Sequence, residues 1–148
     1  MRRPHSLDMR AMGVDLGSKR IGVAISDSTG TVATPIEVVK RRGNRNQEHQ
    51  RLDALATEWA AEIIVVGIPY NLDGSRGRAA KNYLREAKAL ARNTELDVVT
   101  HDERLTTVSA ERSLSKQTLI GAARRQVVDK VAAAVMLQSW LDAGPSRA

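Results

Sequence analysis

Gly13-Val14-Asp15-Leu16-Gly17-Ser18-Lys19-Arg20-Ile21-Gly22-Val23-Ala24-Ile25-Ser26-Asp27 reads as two short apolar strands joined by a tight glycine turn. Asp15 is the only acid in the stretch before its last residue, Asp27. A carboxylate at the end of a buried strand is costly unless a cation, hydrogen bonds or protonation compensate it. A divalent cation is the expectation for Asp15; the plainer alternative is an acid that caps a turn. Gly17 is expected to serve the turn through a positive φ, and Gly13 to permit close approach of another element.

Working outward, the first strand starts at Ala11 and the second covers residues 21–26. Asp27-Ser28-Thr29-Gly30 is a turn, because such side chains bond their own backbone. A third strand over residues 31–39 carries Pro35, which is tolerated at a sheet edge or a bulge. These three strands form an antiparallel meander. The basic loop at 40–46 is either a solvated connection or a nucleic-acid contact. A helix over 47–60 places Leu52, Leu55, Ala56 and Trp59 on one apolar face, so Trp59 is expected in the core. The β-branched run at 62–68 suits a strand buried on both faces. A loop at 70–77 leads to a helix over 78–91, and a last strand at 96–101 runs into Asp102-Glu103-Arg104. Thr106 or Thr107 can cap a short helix through Leu114, residues 115–123 lack a clear period, and a final helix covers 124–141. The order β-β-β-α-β-α-β-α-α implies an α/β fold: a mixed five-stranded sheet with helices on both faces.

With 148 residues, one domain is the natural expectation: a basic arm at 1–10, a domain over 11–142 and a tail at 143–148. The absence of cysteine excludes disulfides and thiolate zinc sites. Phe is absent, so Val, Ile, Leu and Ala must fill the core. A net charge of +6 favours polyanionic partners. No apolar run reaches the roughly 20 residues that span a bilayer. The first ten residues have no apolar segment behind their basic ones, so a secretory signal is not expected and the cytoplasm is the default.

In a mixed α/β sheet, functional groups gather beyond the carboxyl ends of the parallel strands. Asp15 lies near one such end, and Glu103 or its neighbour Asp102 follows another. Adjacent strand residues point to opposite faces, so one of these two enters the site, and the period alone does not choose. Asp129 borders a helix face marked by Val128, Val131, Ala132 and Val135. Each acid has a plain alternative: a salt bridge to Arg104 or Arg112 for Glu103, a solvated helix position for Asp129. Three converging carboxylates would make an all-oxygen site suited to Mg²⁺ or Mn²⁺, and two such ions would serve phosphodiester hydrolysis.

Four motifs in order are similar to those of the YqgF (RuvX) family, nucleases linked to Holliday junctions and pre-16S rRNA. They are residues 13–27; Val66-Gly67-Ile68-Pro69 with Asn71 and Asp73-Gly74-Ser75; Asp102-Glu103-Arg104-Leu105-Thr106-Thr107; and Val128-Asp129-Lys130-Val131-Ala132-Ala133. The resemblance runs from Gly13 to Asp142 and implies a ribonuclease H-like fold with Asp15, Glu103 and Asp129 as catalytic, metal-binding acids. It also places Asn71, Arg104, Thr106, Thr107 and Lys130 at motif positions facing substrate; Lys19 and Arg20, beside Asp15, are further candidates for the substrate backbone. His101 departs from the family pattern, and a structural role is expected for it. The implied activity is metal-dependent cleavage of branched DNA or of precursor rRNA ends, with a homodimer if two symmetric cuts are made. Two other readings stay open on the residues alone. One is an ATP-binding domain of the actin, Hsp70 and sugar-kinase type, whose phosphate-binding hairpin Asp15-Leu16-Gly17-Ser18 resembles; the other is a non-catalytic nucleic-acid binder.

Overall fold

The computed structural model describes residues 9–105 and 122–144, with backbone alone for Leu105 and 122–129. Strands β1 (Ala11–Leu16), β2 (Arg20–Ser26) and β3 (Ala33–Lys40) come first, then helix α1 (Arg45–Glu58). Strand β4 (Ile63–Ile68), helix α2 (Arg78–Arg92) and strand β5 (Asp97–Asp102) follow. A 3₁₀ turn, Glu103–Leu105, closes β5, and the long helix α3 (Ala122–Ala143) ends the described chain. The sheet order is β3-β2-β1-β4-β5. The first three strands are antiparallel neighbours, and β4 and β5 join parallel to β1 and β4. This is the expected mixed sheet. The helix expected after Thr106 lies outside the described residues.

Strand alternation divides the core in two. Met12, Val14 and Leu16 of β1 pack with Ile64, Val66 and Ile68 of β4 against α1 and α2. Ala11, Ala24 and Val65 face the other way, against α3. That second face is lined by small residues. A Cβ on Gly13 would come within 2.8 Å of Leu137 Cβ and 3.3 Å of the Ala133 carbonyl, so the glycine lets α3 settle onto the sheet as expected.

Several local expectations change. Gly17 is not among the positive-φ residues. Its need is steric: a Cβ there would stand 2.5 Å from the Arg20 carbonyl oxygen, closing the hairpin turn. Helix α1 starts earlier than the periodicity suggests, because Asn44 Oδ1 accepts the Gln47 N–H at 3.0 Å and caps it. It also ends earlier. Ala60 takes φ 57° to send the chain toward β4, and Trp59, at the C-cap, is 38 % exposed and not in the core. On α3 the packed stripe is Ala132, Ala133, Met136, Leu137 and Trp140, while Val131 is 41 % exposed. Pro35 meets both of its expected tolerances. It lies on the edge strand β3, where the pairing steps from Val23↔Glu37 to Ala24↔Pro35 and leaves Ile36 as a bulge.

Candidate active site at the carboxyl edge of the sheet

Asp15 is the penultimate residue of β1, paired across to Gly22 of β2. It shares the parity of Ala11 and Gly13, so it belongs to the α3 face of the sheet. Its side chain is only 2 % exposed. Glu103, 1 % exposed, begins the 3₁₀ turn just past β5. Between their strands runs β4. The β1–β4 register pairs Val14 with Val66, which sets Gly67 next in line beside Asp15; the β4–β5 register pairs Gly67 with His101. A Cβ on Gly67 would stand 2.8 Å from Glu103 Oε1 and 2.9 Å from Met136 Cγ. The Glu103 carboxylate therefore lies over Gly67, on the same face as Asp15 and under α3. Two buried carboxylates from distant parts of the chain flank one glycine.

Asp102 and Glu103 differ in burial and in partners. Asp102 is engaged by Arg104, whose Nε lies 3.1 and 3.0 Å from the two Asp102 oxygens and whose Nη2 donates at 2.6 Å. The Arg104 hydrogen bonds hold the Asp102 carboxyl below its usual range, and the same pairing raises the guanidinium. Arg104 thus has an acid partner, lies 5.9 Å from the centre of the Tyr70 ring and donates to the Leu72 carbonyl at 3.4 Å. His101 is buried, with Nε2 2.9 Å from Ser139 Oγ of α3, a contact that fits the structural role expected for it.

Asp129 falls in α3, four residues before Ala133 and seven before Met136. Ala133 abuts Gly13, and Met136 abuts Gly67. The Asp129 side chain is outside the described residues, as are Thr106 and Thr107. Among the described residues no group of three or more His, Cys, Asp or Glu side chains is close enough to hold a metal. Lys19 is exposed and Arg20 half-buried on the β1–β2 turn, and Lys130 is half-buried on α3. Asn71 is exposed but works within its own loop: its Nδ2 donates to Ser75 Oγ at 2.9 Å and its N–H to the Ser75 carbonyl at 3.0 Å. Gly67 was not singled out by sequence reasoning. The available signal was a glycine interrupting a β-branched strand, a mark of close approach.

The sheet order and the crossing helix α3 define a ribonuclease H-like fold. The chain belongs to the RuvX family, whose model, described as Holliday junction resolvase, matches residues 9–143. A relative from Mycobacterium sp. (strain KMS), named as a pre-16S rRNA nuclease, is 46 % identical over 134 residues, covering 90 % of this chain and 79 % of its own. One from Crocosphaera subtropica with the same name is 42 % identical over 132 residues, covering 89 % and 92 %. Among solved structures, Thermus thermophilus RuvC in complex with a Holliday junction substrate superposes with TM-score 0.57 at 17 % identity, covering 91 % of this chain and 94 % of that one. These relatives favour the nuclease over the ATP-binding and non-catalytic readings. No helix among the described residues is long and apolar enough to cross a membrane.

Proposed function

We propose that the chain is a divalent-metal-dependent endonuclease acting on structured nucleic acid, with Asp15, Glu103 and Asp129 as its catalytic acids. The observation that carries this reading is the pair of buried carboxylates flanking Gly67. Burying two anions at one strand edge is costly without a cation nearby. The donor set is all oxygen, which suits Mg²⁺ or Mn²⁺. When bound, two such ions supply an activated water and stabilise the leaving oxygen of a phosphodiester. Asp15 and Glu103 would hold the cations from the sheet, and Asp129 from α3. The absence of a side chain at Gly67 leaves the space that the Glu103 carboxylate occupies. Lys19, Arg20, Asn71, Arg104, Thr106, Thr107 and Lys130 orient the nucleic-acid backbone around that edge, with Arg104 held in place by Asp102.

Both substrate classes named among the relatives, a Holliday junction and pre-16S rRNA, offer the phosphate backbone that this edge would take. A junction needs two symmetric cuts, and a homodimer is expected if that is the substrate. The test is cleavage of both substrates side by side with Mg²⁺ or Mn²⁺, by the wild type and Asp15→Asn. Loss of about 100-fold or more in the variant is expected, since metal-assisted stabilisation contributes several kcal/mol. Equal cleavage by the two proteins would overturn the assignment.

A further inference from the structure

A second polar cavity opens on the opposite side of the β1–β2 turn. It has a volume of about 560 Å³, within the range of small-molecule sites. Leu16, Ser18, Arg45, Asn82, Tyr83 and Arg85 line its walls. Leu16 follows Asp15 directly, and its side chain belongs to the α1–α2 face while Asp15 belongs to the α3 face. The cavity and the catalytic edge are thus back to back on one strand end, separated by the thickness of the hairpin.

The floor of the cavity is already neutralised. Arg41 donates to Glu86 and, at 3.0 Å, to Glu48 Oε1, and its Nη1 donates to the Gly17 carbonyl at 2.8 Å. His49, fully buried, places Nε2 2.9 Å from the same Glu86 oxygen. Burial alone would raise the Glu86 carboxyl, but the His49 and Arg41 hydrogen bonds outweigh it and keep the group ionised. With the acid spent on Arg41 and His49, Arg45 on the rim (54 % exposed, 3.9 Å from Glu86) and exposed Arg85 leave the mouth cationic. Ser18 and Asn82 add neutral hydrogen-bonding groups, and the half-buried Tyr83 adds an aromatic wall. Guanidinium groups for a phosphate, polar side chains for a sugar and an aromatic face for a base together describe a nucleotide.

We infer that this cavity is a second subsite that takes one nucleotide of the substrate strand, beyond the β1–β2 turn from the scissile phosphate. The inference rests on the nuclease reading and names where the strand runs once it leaves the catalytic edge. Arg45 and Arg85 hold its phosphate, and Tyr83 stacks on its base. Arg41 is a positioning residue: by tying Gly17 to α1 and α2 it fixes the turn that separates the two subsites.

The test is binding without cleavage. Labelled single-stranded 12-mers of DNA and RNA are titrated in EDTA against wild type, Arg45→Ala/Arg85→Ala and Lys88→Ala/Arg92→Ala, which removes equal charge from the other end of α2. The rim variant is expected to lose about 10-fold in affinity and to flatten the log K against log salt slope by about 0.7, one phosphate neutralised on a single strand. The Lys88/Arg92 variant is expected to bind as wild type does. Tyr83→Leu is expected to weaken binding without changing the salt slope, because stacking releases no counterions. Equal losses in the two double variants, or no loss in either, would overturn the inference, as would tighter binding of free AMP than of the 12-mers. Failure of the nuclease reading is separate: it would show as cleavage that survives Asp15→Asn.

Discussion

Gly67 contributes to the site by having no side chain. In Gly67→Ala the new methyl would stand 2.8 Å from Glu103 Oε1 and 2.9 Å from Met136 Cγ, so one or both must move. Overpacking of this kind costs about 1–3 kcal/mol, read as a lower urea midpoint with an unchanged slope. Cleavage is expected to fall further than the fraction of folded protein, because Glu103 is the group displaced. An unchanged rate in the folded variant would separate Glu103 from catalysis. Asp27 offers a test by titration. The Thr31 N–H, with the Thr31 and Thr29 hydroxyls and the Val32 N–H, holds its carboxyl at about 2, down from 3.8. A depressed carboxylate adds stability that is present above its unfolded value and lost as pH falls toward its folded one. Asp27→Ala is therefore expected to cost stability at pH 7, with the difference shrinking between pH 3.8 and about 2. A carboxyl titration midpoint near 3.8 in the folded protein would contradict this. The burial of Asp15 at a strand end was legible because an acid in an apolar hairpin stands out. Glu103 could not be separated from Asp102 by period, since the strand ends between them; the three-dimensional difference is that Arg104 claims Asp102.

Helix α3 shows why elements are harder to read than residues. Its sequence from Val127 to Leu137 is almost continuously apolar, so the 3.6-residue period has little contrast. The valines suggest one stripe; of it Ala132 and Val135 pack and Val131 does not, and the packed face is carried through Ala133, Met136, Leu137 and Trp140, because the small side of the sheet admits α3 against Gly13. Leu137→Ala is expected to cost about 2–5 kcal/mol in denaturant unfolding, and exposed Val131→Ala to stay within about 0.5. Equal losses at both positions would restore the valine stripe. Trp59 was misread for a related reason: the periodic spacing continues past Glu58, but the backbone turns at Ala60 and carries the indole outward. The buried cluster of Arg41, Glu48, His49 and Glu86 was not legible at all. Its members come from a loop and two helices, and each looks like an ordinary surface residue until the elements are packed.

At the scale of the molecule, the topology was the most legible property. Three strands joined by short turns can only be antiparallel, and strands reached through helices return parallel, so the mixed sheet follows from the element order. The division of labour between its faces follows from parity. Large β-branched residues on one face build the core with α1 and α2; small residues and Asp15 on the other admit α3 and leave room for chemistry. The net charge of +6 gives the molecule a long-range attraction for a phosphate backbone, and the two faces of the hairpin would divide its local contacts.

The bulged outer strand has a consequence for how copies of this protein meet. An open sheet offers its unpaired margin to any neighbouring chain, and runaway strand addition is the route to insoluble aggregates. β3 carries Pro35, which has no N–H to give, and its pairing is skewed at Ile36. An incoming strand would find its ladder interrupted midway. A break in the pleat of this kind works against runaway strand addition along β3.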